Sequence, residues 1–357
     1  MPRAKQPSEP ASTILGTRTK PVSLRDLAAH LDLSSTTISL VLNDSPLAKG
    51  ISAKTRERVL QGAADLNYKP NYFARMLNRK RSCMVGVLSP DLSEGYDSEI
   101  IHGIERLLIE RNYLYFVSSH HWNKALIRQR LEDFAQRGAE GMILINTQIE
   151  SGFELPLVSI GSLTPDFPQT RIIVDNAAGI REGLAYLYAL GHRHIAFFKG
   201  HAVSSDTESR WIACEETAQV LGLRIPKEHV VELQRIDGGV NPIREGYVAA
   251  EQLLQAKSPF TALLAFNDMS AIGAIHAFHD AGKRVPLDIS VMGFDDVQAA
   301  TIVQPSLTTV RQPLGQMGMQ AAKEILASIE HPQLEPRRIS IEPRLVIRQS
   351  TTVCLRR

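Results

Sequence analysis

The sequence predicts an all-α head of helix-turn-helix form joined to an α/β body of two lobes, each a doubly wound parallel sheet. Three observations carry this. Residues 22–43 read as two short helices about a tight turn. From residue 83 onward, apolar strands alternate with amphipathic helices, and the alternation restarts after residues 172–176. The charge is also uneven. Residues 1–82 hold 14 Lys and Arg against 6 Asp and Glu, a net of +8, and the rest of the 357-residue chain carries −6. A basic first fifth on an acidic body suggests that one end meets a polyanion.

Residues 1–21 are polar and Pro-containing, lack an apolar signal-peptide core, and read as a disordered tail. In VSLRDLAAHLDLSSTTISLVLN, from Val22 to Asn43, Ser23 caps a first helix and Asp26 answers it three residues on. Leu24, Leu27, Ala28 and Leu31 fall at helical spacing and form one apolar stripe. Asp32 stands where the chain must turn, because Asp tolerates left-handed backbone. Ser34 caps a second helix whose inner face is Ile38, Val41 and Leu42. Its outward residues Ser35, Thr36, Thr37 and Ser39 are small and hydroxylated. Such a helix suits a DNA major groove, and Ser and Thr pair with several base edges without fixing a sequence. An ordinary helical hairpin has the same outline.

A polar loop, DSPLAKG, leads to a third helix from Ser52 to Leu66, with Asn67 placed to end it in the left-handed conformation. After Tyr68-Lys69-Pro70, residues 71–77 make one more short helical turn or two. That segment is too short to be stably helical alone in water, so a packing partner or DNA must hold it.

In the body the first strands are MVGVLS, YLYFVSS, GMILIN and LPLVSIG, with helices around 97–111 and 124–137. The second run has helix 177–190, HIAFFKG, a helix near 208–221, VVELQ, a helix near 242–256, ALLAFN, helix 268–281 and ISVMGFDD. Such alternation means parallel sheets with helices on both faces. Helix 314–329 and the strand RRISIEPRLVIRQST are too few for a third lobe, so they complete the first two. The carboxyl ends of both sheets then surround one cleft, where such sheets bind ligands.

Several chemistries are absent. There is no GxGxxG after a strand, no P-loop, no HExxH and no CxxC pair. Cys83, Cys214 and Cys354 have no metal-like spacing and cannot all pair, which suits a reducing cytoplasm. His276 and His279 lie three apart on a helix but have no third ligand nearby. No apolar run approaches membrane-spanning length. The expectation is a non-enzyme with no metal and no cofactor.

The pieces VSLRDLAAHLDLSSTTISLVLN, ISAKTRERVLQGAADLNYKPN, NYFARMLN and VGVLSPD together resemble the lactose-repressor type (LacI/GalR) family of bacterial transcription factors. The landmarks LGHRHIAFF, FNDMSAIGAI, VPLDISVMGFDD and PSLTTVRQP extend the resemblance over residues 22–352. It implies a helix-turn-helix DNA-binding domain at 22–69 and a hinge helix with linker at 70–82. It also implies an effector-binding and dimerisation body at 83–352, with a periplasmic-binding-protein-like fold. The first lobe would span about 83–175 and 314–340, the second about 176–313 and 341–352. Ser35 and Thr36 would read bases, and Thr37, Ser39 and Asn43 would hold phosphates. Asn71, Ala74 and Leu77 would belong to the hinge helix, with Leu77 wedged between base pairs in the minor groove. Such a wedge partly unstacks a step and bends the duplex. A core leucine between domains is the other reading of Leu77.

Arg210, Asn267 and Asp295 match positions that hold the effector in the family, and Tyr96 lies where an aromatic can stack on a ring. Arg, Asn and Asp offer planar donors and acceptors suited to vicinal hydroxyls. An ion-pair role for Arg210, a helix cap at Asp268 and a turn cap at Asp296 are the plainer readings. Three departures stand out: Asp32 replaces the turn's usual Gly, Leu40 stands where many members carry Arg, and Gly161 stands where several relatives place an acid. Asp206 could substitute for that acid from the opposite lobe.

The resemblance therefore implies a cytoplasmic, ligand-responsive regulator. It would be a repressor of carbohydrate-related genes that binds a double-stranded DNA operator as a homodimer, with a sugar-like effector in the cleft. The dimer surface would lie around helix 97–111. The alternative is a regulator answering to a nucleobase or sugar phosphate as co-repressor. A transport component would need a secretory signal and an enzyme a catalytic constellation, and neither accounts for the basic head. Leu77→Ala is expected to weaken operator affinity and leave ligand affinity nearly unchanged; equal operator binding by the variant in a shift assay removes the wedge.

Overall fold

The computed structural model describes residues 22–43, 45–69, 81–92, 95–149, 153–161, 168–202, 204–236 and 240–355. The chain divides into two units, Met1–Arg81 and Ser82–Arg357. In the head, α1 is Leu24–Leu31, α2 is Ser35–Leu42 and α3 is Ala53–Asp65. Each start is set by a serine. Ser23 Oγ accepts from Asp26 N at 3.2 Å, and Asp26 Oδ2 accepts from Ser23 N at 2.8 Å. Ser34 and Ser52 cap α2 and α3 through Thr37 N and Thr55 N. Each cap satisfies a donor that the helix start leaves open, typically worth about 1 kcal/mol. Asp32 ends α1 at φ 47 and Asn67 follows α3 at φ 46, both left-handed. The expected polar loop contains a 3-10 turn, Pro46–Gly50, because Ser45 caps it and proline presets its first φ. Leu27, Leu31, Ile38, Val41 and Val59 close the head's small core, with Leu42 only half-buried beside it.

In the body the strands are β1 Met84–Ser89, β2 Leu114–Ser119, β3 Gly141–Ile145, β4 Leu157–Ile160, β5 Thr170–Val174, β6 Ile195–Lys199, β7 Val230–Glu232, β8 Ala262–Leu264, β9 Ser290–Asp295, β10 Thr308–Arg311, β11 Arg338–Ile341 and β12 Arg344–Val346. The helices are α4 Gly95–Glu110, α5 Lys124–Gln136, α6 Asn176–Ala189, α7 Ser205–Leu221, α8 Pro242–Gln255, α9 Asp268–Asp280, α10 Ala299–Ile302 and α11 Leu314–Glu330. They build two six-stranded sheets, ordered β11-β5-β4-β3-β1-β2 and β12-β10-β9-β8-β6-β7. Buried residues alternate across β3. Met142 and Leu144 meet Ile127, Leu131 and Phe134 of α5, while Ile143 and Ile145 meet Ile100 and Ile104 of α4 and Ile325 of α11. The second sheet is sandwiched likewise, by α8 and α9 on one face and α6 and α7 on the other.

The first sheet is wholly parallel, but the expected second parallel sheet has an antiparallel edge: β12 runs against β10. The expected single strand RRISIEPRLVIRQST breaks at Glu342-Pro343, and its halves join different sheets. The physical reason is the two-residue link. All other strands of both lobes run toward the cleft, so a chain that leaves β11 without room to reverse must run away from the cleft in the second lobe. Proline at the break donates no ladder hydrogen bond. The backbone thus passes between lobes after β5, after β10 and after β11. Val297, just beyond β9, packs into the first-lobe core, so apolar contact also joins the lobes. No described helix is long and apolar enough to cross a membrane.

In the first lobe α4 and α11 touch backbone to backbone. A Cβ on Gly103 would lie 2.1 Å from Gly315 O, and one on Gly318 would lie 2.0 Å from Ile100 O. Gly318→Ala should therefore destabilise the body by about 1–3 kcal/mol, the usual range for overpacking a tight interface. Denaturant unfolding checks this, and an unchanged midpoint would contradict the close approach.

Candidate functional site

The outward side of α2 is uncharged and hydroxylated. Thr36 is exposed, and Ser35, Thr37 and Ser39 are half-buried. Thr37 Oγ1 lies 2.8 Å from Ser34 Oγ, so one hydroxyl both steadies the cap and faces outward. Asn43 Nδ2 donates to Ser39 O at 2.8 Å and to Ser39 Oγ at 3.2 Å, binding the end of α2 into one polar unit. The five residues expected to meet DNA from this helix thus share one short element. Asn71, Ala74 and Leu77 lie outside the described residues.

In the body a cleft opens where the carboxyl ends of both sheets face each other. It encloses about 850 Å³ of space between the lobes, part of it open to solvent. Tyr96, Asp97, Trp122 and Asn146 line it from the first lobe, and His201, Asp206, Arg210, Glu245, Asn267 and Asp295 from the second. All four residues expected at the effector, Tyr96, Arg210, Asn267 and Asp295, stand on its wall.

Arg210, on α7, is 5% exposed. Its Nε donates to Asn176 Oδ1 at 3.0 Å and its Nη1 to the Phe266 carbonyl at 2.7 Å. Its Nη2 lies 3.8 Å from Asp206 Oδ2 and 3.7 Å from Asp295 Oδ1. Its Cζ sits 3.8 Å from the centroid of the Phe294 ring, which adds cation–π attraction. Arg210 is thus an ion-pair partner of two carboxylates and also lines the cleft.

Asp295 ends β9 at φ 121, in backbone that non-glycine residues rarely adopt. Burial pushes its carboxyl up to about 7; Arg210 and Gln312 pull it back, and Asp206 adds to the rise. Gln312 Nε2 donates to Asp295 Oδ1 at 2.6 Å. Asn267, not Asp268, caps α9: its Oδ1 accepts from Ser270 N at 2.8 Å, so its Nδ2 is the atom left to donate. Asp268 instead is fully buried and accepts from Val297 N at 2.9 Å and from Thr309 Oγ1. Burial pushes Asp268 well above the carboxylate range, with the Asp295 charge adding to it. Asp296, at φ 61, binds Arg311 and Arg348 rather than only capping a turn.

The Tyr96 hydroxyl is buried and has no hydrogen-bond partner among the described residues. Burial, then the charges of Asp206 and Asp295, push its phenol well above the ordinary value, so it keeps its proton. Gly161 sits at φ +73 opposite Asp206. A Cβ there would lie 2.3 Å from Asn146 Oδ1 and 3.9 Å from Asp206 Oδ2, so the Asn146 amide fills the room an acid at 161 would need. Asp206 itself accepts from Asn176 Nδ2 at 3.0 Å.

Sequence reasoning did not single out Asn146, Trp122, Asp97 or the pair His201–Glu245, which is 2.8 Å apart with Glu245 2% exposed. Asn146 and His201 each follow a strand's carboxyl end closely, and that position was a usable signal. Glu245 and Asp97 are helical and carry none. Among the described residues no group of three or more His, Cys, Asp or Glu side chains is arranged to hold a metal ion.

Residues 23–71 match bacterial regulatory proteins of the lacI family, and residues 184–351 match the periplasmic binding protein-like domain. The chain is 30% identical over 338 residues to the HTH-type transcriptional repressor PurR of Histophilus somni, covering 92% of this chain and 98% of that one. It is 26% identical over 335 residues to the ribose operon repressor of Haemophilus influenzae, with the same coverage. The crystal structure of the Lac repressor dimer bound to operator and the anti-inducer ONPF superposes with a TM-score of 0.83 at 27% identity, covering 93% of this chain and 100% of that one.

The raised carboxyl of Asp295 has a signed consequence. Its folded value lies above the unfolded one, so stability is lost as pH rises from the ordinary carboxylate value of about 4 to about 7. Asp295→Asn removes that loss. Its melting temperature relative to the parent should climb across this window and level off above it; a difference that stays flat with pH would contradict the assignment.

Proposed function

Because the chain belongs to the lacI family of bacterial regulatory proteins, we propose that it is a ligand-responsive, sequence-specific repressor of carbohydrate-related genes. It acts in the cytoplasm, binds operator DNA and performs no catalysis. One observation carries the reading: a single chain joins a helix with a hydroxylated outer turn to a two-lobed body with a polar cleft. Ser35 and Thr36 read base edges, while Thr37, Ser39 and Asn43 meet phosphates. Asn71, Ala74 and Leu77 act in the segment between head and body. One head reaches one half-site, so the protein works as a homodimer on a near-palindromic operator. The Lac repressor structure that it resembles is such a dimer on its operator.

In the cleft, Arg210, Asn267 and Asp295 bind a sugar-like effector, and Tyr96 lies against it. Support comes from the donors and acceptors that converge there and from the likeness to a ribose operon repressor. Effector that contacts both lobes favours one lobe angle over another. A shift in that angle changes operator affinity only as far as the two angles differ in their affinity for the ligand.

The test is binding of the purified dimer to DNA upstream of candidate genes. Sequence-specific affinity that falls steeply with salt is expected; no salt-sensitive preference for any site would end the reading. Arg210→Ala should keep operator binding and lose the ligand response. Arg210→Lys, which keeps the charge but loses the planar fork, covers the case where alanine unfolds the body. An intact ligand response in the lysine variant would discard the role given to Arg210.

A further inference from the structure

The charge of the cleft restricts what it can hold. Of the acids that line it, Asp206 and Asp295 share the one lining guanidinium, Arg210, and Glu245 is paired with the one lining imidazole. The imidazole, His201, sits 2.8 Å from Glu245 and is engaged there. The guanidinium, Arg210, gives Nε and Nη1 to Asn176 and the Phe266 carbonyl and shares Nη2 between Asp206 and Asp295. The charge of Arg210 is already shared by two carboxylates, so little of it remains to offset a phosphate. A phosphate would instead face carboxylates in a partly dry site, where like charges repel strongly.

The hydrogen-bonding inventory points the same way. Carboxylates only accept, so Asp206 and Asp295 present acceptors that a ligand's donors can meet. The Tyr96 hydroxyl, on the same cleft wall as Asp206 and Asp295, is buried with no partner among the described residues, and a buried polar group left unpaired is costly. A ligand that brings several donors and one positive charge answers both deficits. An ammonium has three donors, enough for the Tyr96 oxygen and both carboxylates.

We propose that the effector carries a protonated amine on a hydroxylated frame, as an amino sugar does, with the amine lodged beside Tyr96, Asp206 and Asp295, and that sugar phosphates are excluded. This rests on the regulator reading only in taking the cleft as the effector site.

Matched probes test it on the full-length protein: glucosamine, galactosamine and mannosamine, the three parent sugars, and their 6-phosphates, each titrated by thermal shift and calorimetry at low salt. At least one amine should bind roughly tenfold tighter than its parent, and no phosphate should bind. The advantage should narrow at high salt. Asp206→Asn keeps the shape, removes one charge and should erase most of it. A parent sugar equal to its amine, a phosphate that binds, or an advantage unchanged in Asp206→Asn overturns the proposal. So does failure of every amine to bind, and operator binding, measured separately, shows whether the regulator reading survives that result.

Discussion

The guanidinium of Arg210 is the interaction on which the cleft depends. It is buried, and its surroundings come from four places in the chain. Asn176 begins α6 just after the first crossing between lobes; Phe266 ends the loop after β8; Asp206 and Arg210 lie one turn apart on α7; Asp295 closes β9. Without it, Asp206 and Asp295 would lose their cation in a partly dry cavity, and removing one partner of a buried ion pair typically costs about 3–5 kcal/mol. The same atoms that hold the second lobe together therefore also set the electrostatics met by a ligand.

Around that centre the fold leaves the lobes distinct but connected. Each sheet has its own helices on both faces, so each lobe closes its own core. The two are joined by three backbone crossings and by the Val297 contact, whose amide is held by Asp268. Asp268 is thus a brace between the start of α9, the loop after β9 and strand β10, through Thr309. Trp122 of the first lobe and Arg235 of the second face each other with 5.7 Å between the ring centroid and the guanidinium carbon. Burial drives His120 down to about 4, so it stays neutral and accepts from Trp122 N at 3.1 Å, which steadies the indole. Polar and aromatic contacts across the cleft are easily remade, whereas the two cores are not, and that contrast is what a ligand-dependent change in lobe angle requires.

Much of this was legible in the residues, for reasons that differ by element. The head's helices announce themselves because their ends are local: Ser23 with Asp26, Ser34, Ser52 and Asn67 act within a few residues of where they stand. The alternation of strands and helices was equally plain, since sheets buried on both faces need continuous apolar runs. What did not show was decided at a distance. The break at Pro343 and the antiparallel β12 follow from where the opposite lobe lies. Asp268 looked like a helix cap, but Asn267, one residue earlier, took that role and freed Asp268 to brace the loop. Glu245 enters the cleft only because α8 is packed where it is. Gly161, read as a missing acid, is explained by Asn146 filling its space.

In the proposed regulator, one small molecule in the body and one operator at the heads bias the same equilibrium. The most direct measurement is therefore reciprocal: operator affinity with and without saturating ligand, and ligand affinity with and without saturating operator. Linkage predicts that the two ratios are equal, on the order of 5- to 150-fold in either direction. A ligand that binds the cleft and leaves operator affinity unchanged would contradict it.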